Sequence, residues 1–335
     1  KVNEDVNAFI TIIGEDARKA AKQAEDEIMN EQCRSPLHGI PIGLKDVVFT
    51  KGVKTTMGSP IYKDFIPDED AEIVRKLAEA GAIIIGKLNT HQFAYGPTGD
   101  RSYYGPVKNP FDVSKMSGGS SSGSAAAVAT NMCKGAIGTD TSGSVRVPAA
   151  FCGIVGMKPT YGLVSKRGVY PLSNTLDHVG PMTKTVEDNA LFLNAISGYD
   201  PLDFHSKELS KYPDYDEGIS ADIKNTVIGI PRNFYFENVD EEIVDSAKQS
   251  INILERLGAK LEEIEIPHVE EMVEAQQMII KSEAYALHKH HLENPNNEWD
   301  EEVEERLYTG KDTLAYQYIQ AQDIRIQAYY VFKQL

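Results

Sequence analysis

The 335-residue chain is poor in the residues that make covalent or metal cross-links. Its three cysteines, Cys33, Cys133 and Cys152, are an odd number without metal-like spacing. They read as reduced thiols of a cytoplasmic protein rather than as a disulfide framework. No apolar run approaches the ~18–20 residues that a membrane span requires, and the first residues lack the apolar region of a secretory signal, so no membrane is expected as a partner. Basic charge is also short, with 34 Lys and Arg against 50 Asp and Glu and a net charge of −16. That field repels a phosphate backbone unless a local basic patch overrides it. Stretches such as Lys207–Lys211 are short and interrupted, which disfavours direct nucleic-acid binding.

What is present is an alternation of helix-like and strand-like patterns. Val6, Phe9, Ile10, Ile13 and Ala17 recur at helical spacing, predicting one or two N-terminal helices within about residues 1–35. Residues 40–45 alternate as a strand, with Ile40, Ile42 and Leu44 on one face and Lys45 on the other. Asp70 is placed to cap a helix running to Ala80, and the apolar run 82–86 reads as a buried parallel strand. An Ala-rich helix is expected over 124–129, and a small-residue strand over 136–138. Residues 227–266 predict a further β-α-β unit closed by Gly258, and Ala321, Ile324, Ala328 and Val331 mark a long amphipathic C-terminal helix. The class is therefore α/β, with a mixed, mostly parallel sheet core flanked by helices on both faces. The pair His288 and His291 lies on a polar stretch and reads as solvated surface rather than as a metal site.

Two Gly/Ser-rich loops carry the candidate chemistry: Gly118-Gly119-Ser120-Ser121-Ser122-Gly123-Ser124, and Gly138-Thr139-Asp140-Thr141-Ser142-Gly143-Ser144-Val145-Arg146. Each sets hydroxyls and unpaired backbone N–H groups near a helix start, where negative charge is favoured. A phosphate cradle would need a lysine that the first loop lacks. A nucleophile elbow centred on Ser121 fits G-x-S-x-G but leaves the second loop without a role. A capping loop is the bland alternative for either loop taken alone.

The two loops, together with Gly39-Ile40-Pro41-Ile42-Gly43-Leu44-Lys45-Asp46, Gly86-Lys87-Leu88-Asn89, Gly156–Gly162 and Leu176-Asp177-His178-Val179-Gly180-Pro181, resemble the amidase signature family. That family includes bacterial amidases and the A subunit of tRNA-dependent amidotransferases. The motifs fall in family order over most of residues 37–190, with Lys45 and Ser120 75 positions apart. The resemblance implies one amidase signature domain, with a catalytic core over about 36–195 and a further α/β part over about 220–335. Family members continue well past the position of Leu335, so a C-terminal portion of the family fold is expected to be missing here.

Carried over by position, the resemblance implies Ser144 as nucleophile, Ser120 as relay after a cis Gly119–Ser120 bond, and Lys45 as general base. A lysine accepts a proton only when neutral, so burial must pull it well below ~10.4. Backbone N–H groups of Thr141, Ser142, Gly143 and Ser144 would form an oxyanion hole, with Asp140 and Arg146 fixing the loop. No metal or cofactor is implied. The implied activity is amide hydrolysis through an acyl-enzyme, on a small-molecule amide. Two versions stay open: an independent amidase, with a homodimer possible, and a glutamine-hydrolysing A subunit that needs partner subunits. Ser142 in place of the common glycine, and Val147 where the A subunit often has Gln, favour the independent amidase.

Overall fold

The computed structural model describes residues 2–335. In chain order its elements are α1 (Val2–Val6), β1 (Phe9–Ile12), α2 (Gly14–Met29), β2 (Pro41–Lys45), α3 (Glu72–Glu79), β3 (Ile83–Leu88), α4 (Ser122–Ala129), β4 (Gly135–Asp140), α5 (Arg146–Phe151), β5 (Val155–Gly156), β6 (His178–Thr183) and α6 (Val186–Ile196). There follow β7 (Val227–Pro231), α7 (Glu241–Arg256), β8 (Lys260–Ile264), α8 (Val269–Leu292), α9 (Glu301–Tyr308) and α10 (Ala315–Gln334). Two compact units result: residues up to 219 with 283–309, and residues 220–282 with 310–335.

The first unit is built on a six-stranded mixed sheet in the order β1-β3-β2-β4-β6-β5. Its central strands β3, β2 and β4 are parallel, while β1, β6 and β5 pair antiparallel at the edges. Side-chain alternation gives the sheet two buried faces. Ile42, Leu44 and Ile137 join Ile73 and Leu77 of α3 and Phe192, Leu193 and Ile196 of α6 in one core cluster. Leu88 and Ala136, one residue out of phase with those positions, pack with Ala126, Ala127 and Val128 of α4 in another. The expected α/β architecture with helices on both faces is thus present.

Local departures from the sequence reading have identifiable causes. Phe9–Ile12 is a strand, not helix, and pairs antiparallel with β3. The segment is rich in aromatic and β-branched residues, which suit a pleated, half-buried surface, and Asn7 at φ 56 breaks it from α1. Asp70 does not cap α3. Its carboxylate accepts from the Lys51 N–H at 2.7 Å, and Ala71 stands at the cap without a side-chain bond.

The second unit holds the expected β-α-β pattern. Strands β7 and β8 are parallel, from Val227 opposite Lys260 to Pro231 opposite Ile264. Helix α7 connects them and is capped by Asp240, which accepts from the Glu242 N–H.

In the first unit the ends of the central strands set the site. Lys45 closes β2 and Asp140 closes β4; the strands are parallel neighbours, so both side chains stand at one edge, where ligands of open α/β sheets bind. Helix α4, buried along Ser122–Val128, brings the first serine loop to that edge. Gly123 makes the approach possible, because an added Cβ there would lie 2.3 Å from the Ala8 carbonyl oxygen and 2.5 Å from the Asn89 nitrogen. Gly123→Ala should therefore lower stability by about 2 kcal/mol, seen as a lower denaturant midpoint. An unchanged midpoint would mean that α4 can lift from β3 at no cost.

Candidate active site

Lys45 is fully buried. Its Nζ donates to Ser120 Oγ at 2.7 Å and to Thr139 Oγ1 at 2.8 Å. No carboxylate pairs with it among the described residues. Burial brings its pKa down to about 7, with Asp177 and Asp140 acting in the opposite sense. The Gly119–Ser120 peptide is cis, and the Ser120 carbonyl accepts from the Thr90 hydroxyl at 3.0 Å. The Ser121 N–H donates to the Ser144 carbonyl at 3.2 Å, which ties the two serine loops together. Ser120 is buried, whereas Ser144 is half-buried and Ser142 exposed.

The second loop folds around Asp140. One carboxylate oxygen accepts from the Gly143 N–H at 2.7 Å and from Arg146 at 3.0 Å. The other accepts from the Val145 N–H at 3.2 Å and from Arg146 Nε at 3.0 Å. Burial pushes the Asp140 carboxyl up, but Arg146 and the loop N–H groups outweigh it and hold the group below the usual carboxylate range. Gly143 sits at φ +119, in a region open to glycine and strained for other residues. Its N–H is committed to Asp140, so it shapes the loop. Thr141, Ser142 and Ser144 supply the N–H groups that remain.

Several further groups meet here. Asp177 accepts from Thr141 Oγ1 at 2.5 Å and from the Leu172 and Ser173 N–H groups at 2.8 and 3.0 Å. His178 donates through Nδ1 to the Leu176 carbonyl at 2.6 Å, and its Nε2 accepts from Lys158 at 3.3 Å. Burial and then the Lys158 charge push the imidazole down to about 4, so it is neutral. A cavity of about 340 Å³ opens beside them, lined by Thr139, Asp177 and His178 among others.

A second buried lysine stands on β3. Lys87 Nζ donates to the Val48 carbonyl at 2.5 Å and to Thr55 Oγ1 at 2.6 Å, and lies 3.5 Å from Asp46 Oδ1. Asp46 Oδ2 accepts from the Thr56 N–H and hydroxyl. Burial lowers Lys87 to about 8, with Asp46 opposing the shift, and burial pushes the Asp46 carboxyl up, with Lys87 and Thr56 opposing it. Asp46 therefore serves Lys87 and leaves Lys45 without a counterion. Thr139, Asp177 and the Lys87–Asp46 pair were not assigned roles from the sequence. Lys87 and Asp177 lie inside the quoted motifs, whereas Thr139 gave no signal beyond its place in the second loop.

One surface reading is corrected. His288 is fully buried, packed against Phe93 with ring centroids 4.5 Å apart and against Trp299 at 5.7 Å. The polar pattern around it misled because this position of α8 faces the aromatic cluster. Cys152 is buried, and its thiol is pushed up to about 12, the state of an inert structural thiol.

A family model described as Amidase matches residues 1–329. The chain belongs to the amidase family. Among similar amidase-family proteins, the glutamyl-tRNA(Gln) amidotransferase A subunit of Syntrophus aciditrophicus is 45% identical over 283 residues, 84% of this chain and 58% of that protein. The structure of the glutamyl-tRNA(Gln) amidotransferase A subunit from Thermotoga maritima aligns with a TM-score of 0.78 at 33% identity, covering 98% of this chain and 68% of that one. The peptide amidase of Stenotrophomonas maltophilia aligns with a TM-score of 0.82 at 32% identity, covering 95% of this chain and 70% of that one. The chain spans about three fifths of the length of the curated relatives it matches.

The buried Lys87–Asp46 pair gives a stability test. Lys87→Met leaves the buried Asp46 carboxyl without its cation, and should destabilise the protein by about 3 kcal/mol. Adding Asp46→Asn should recover part of that loss in a denaturant titration. A single variant as stable as the parent would show that the pair is not ionised.

Proposed function

We propose that this amidase-family chain hydrolyses a carboxylic amide through an acyl-enzyme, with Lys45 as base, Ser120 as relay and Ser144 as nucleophile. The observation that carries the reading is the state of Lys45: buried, without a carboxylate partner, and 2.7 Å from a serine hydroxyl. Near neutral pH such an amine can give up its charge and accept a proton. In the neutral form Thr139 takes one amine N–H, and the lone pair receives the Ser120 proton. Ser120 in turn takes the proton of Ser144, whose Oγ attacks the amide carbon. The carbonyl oxygen becomes an oxyanion against the Thr141, Ser142 and Ser144 N–H groups. Lys45 then returns its proton through Ser120 to the leaving nitrogen, the C–N bond breaks, and water releases the acyl group by the reverse path. No cofactor takes part in this scheme.

For the substrate, the named relatives favour glutamine, with this chain as the amide-hydrolysing part of an A subunit that works with partner subunits. This reverses the preference drawn from Ser142 and Val147. The single-position departures weigh less than 45% identity over 283 residues. An independent amidase acting on a small or peptide amide stays as the second reading, supported by Val147 and the likeness to a peptide amidase.

Ser144→Ala should lower amide hydrolysis by on the order of 10³-fold or more while leaving the circular dichroism spectrum unchanged; retained turnover would refute the nucleophile. Assays against glutamine and a panel of simple amides, with and without the partner subunits, separate the two substrate readings. Glutamine turnover only with partners fits the amidotransferase reading, and turnover of simple amides by the chain alone fits the independent amidase.

The lysine base also fixes a pH profile. Its pKa is lowered to about 7, so kcat/KM should rise tenfold per pH unit below that value and level off above it. A profile flat into the acid range would exclude an amine base.

A further inference from the structure

Asp177 takes no part in the proton path, yet it touches the oxyanion turn. The hydrogen-bond partners of its carboxylate are donors: the Thr141 hydroxyl on Oδ1, and the Leu172 and Ser173 N–H groups on Oδ2. That is the environment of a carboxylate rather than of a carboxylic acid. Burial pushes the group up from the usual carboxylate range, and these three donors oppose it. The 172–175 segment behind it is gripped a second time by Glu283 of α8, which accepts from Ser173 Oγ at 2.5 Å, the Thr175 N–H at 3.0 Å and Thr175 Oγ1 at 2.7 Å. Two buried carboxylates thus hold one loop, and through Asp177 that loop holds Thr141.

We propose that Asp177 is a positioning residue for the reaction: it fixes the Thr141 turn in register with Ser144 and presents its negative charge toward Lys45. The inference rests on the Lys45–Ser120–Ser144 reading above. The charged groups interacting with Asp177 and Lys45 come from several elements. Asp140 stands at the end of β4 and Lys45 at the end of β2, Lys166 comes from the loop before β6, and His178 beside Asp177 is neutral. Asp177 lines one cavity with Thr139, whose hydroxyl accepts from Lys45 Nζ at 2.8 Å, and its charge opposes the drive of burial toward the neutral amine. A base that gave up its proton too readily would hold the Ser144 proton too weakly.

The two roles separate in two variants. Asp177→Asn removes the charge with little change of shape, so Lys45 should become neutral at lower pH. Thr141→Val keeps the charge but loses the hydroxyl that docks the turn, and Thr141→Ser restores it. A suitable probe is a fluorophosphonate, which needs no knowledge of the natural amide. Ser144 Oγ forms the bond to phosphorus, fluoride leaves, and the proton passes through Ser120 to Lys45. The rate of Ser144 phosphonylation is followed by intact mass across pH.

Asp177→Asn should move the acid limb down by about one pH unit. Thr141→Val should lower the plateau rate about tenfold with the limb in place, and Thr141→Ser should recover most of it. If the parent chain shows an acid limb but Asp177→Asn leaves both limb and plateau unchanged, the Asp177 role is overturned and the triad stands. If the parent shows no limb, or Ser144→Ala is labelled as fast, the triad reading fails and takes this inference with it. Should Asp177→Asn melt below assay temperature, the threonine pair decides: a Thr141→Val plateau equal to the parent's overturns the role.

Discussion

An ammonium group taken out of water with no anion beside it is unstable by several kcal/mol, and losing the proton relieves that. Lys45 is held in this condition by the sheet. It closes a central strand, faces away from the Ile42 and Leu44 side, and meets two hydroxyls in place of a carboxylate. The neighbouring lysine on β3 shows the alternative. Lys87 is equally buried but keeps Asp46 at 3.5 Å, which favours its charged form. Two lysines in one sheet thus hold protons with different tenacity because one of them has a counterion.

The serine loops depend on the same arrangement. Ser120 precedes a helix of small residues that lies tight on the strands, and Ser144 sits in a turn wound around Asp140. The charge of Asp140 is spent on its own loop, through Gly143, Val145 and Arg146. Asp177 acts on the same turn from outside, through Thr141. Two carboxylates therefore hold the Ser144 turn without pairing to the lysine, and this separation leaves the amine without a counterion, as the proposed base requires.

Much of this is legible in the order of residues alone. The strand at Lys45 shows in its period-two pattern, and the Ala-rich helix and small-residue strand show in composition. Motif order singles out Lys45, Ser120 and Ser144, and the structure sets Lys45 2.7 Å from Ser120. What escapes the sequence depends on pairing across distance. Phe9–Ile12 becomes a strand because β3 offers it an edge. Asp70 is drawn to Lys51 rather than to a helix end. His288 turns inward against Phe93 and Trp299 from a stretch that reads as polar. Thr139 is ordinary in sequence and gains meaning only when β2 and β4 lie side by side.

Full burial of Lys45 also limits its traffic with water. The amine meets no solvent directly, and its two hydrogen-bond neighbours are the hydroxyls of Ser120 and Thr139. Among the described residues, those two oxygens are the hydrogen-bonded routes by which a proton can leave or reach it. The amine is insulated as well as tuned: under the proposed scheme, the serine that would relay the proton also stands between the amine and the solvent.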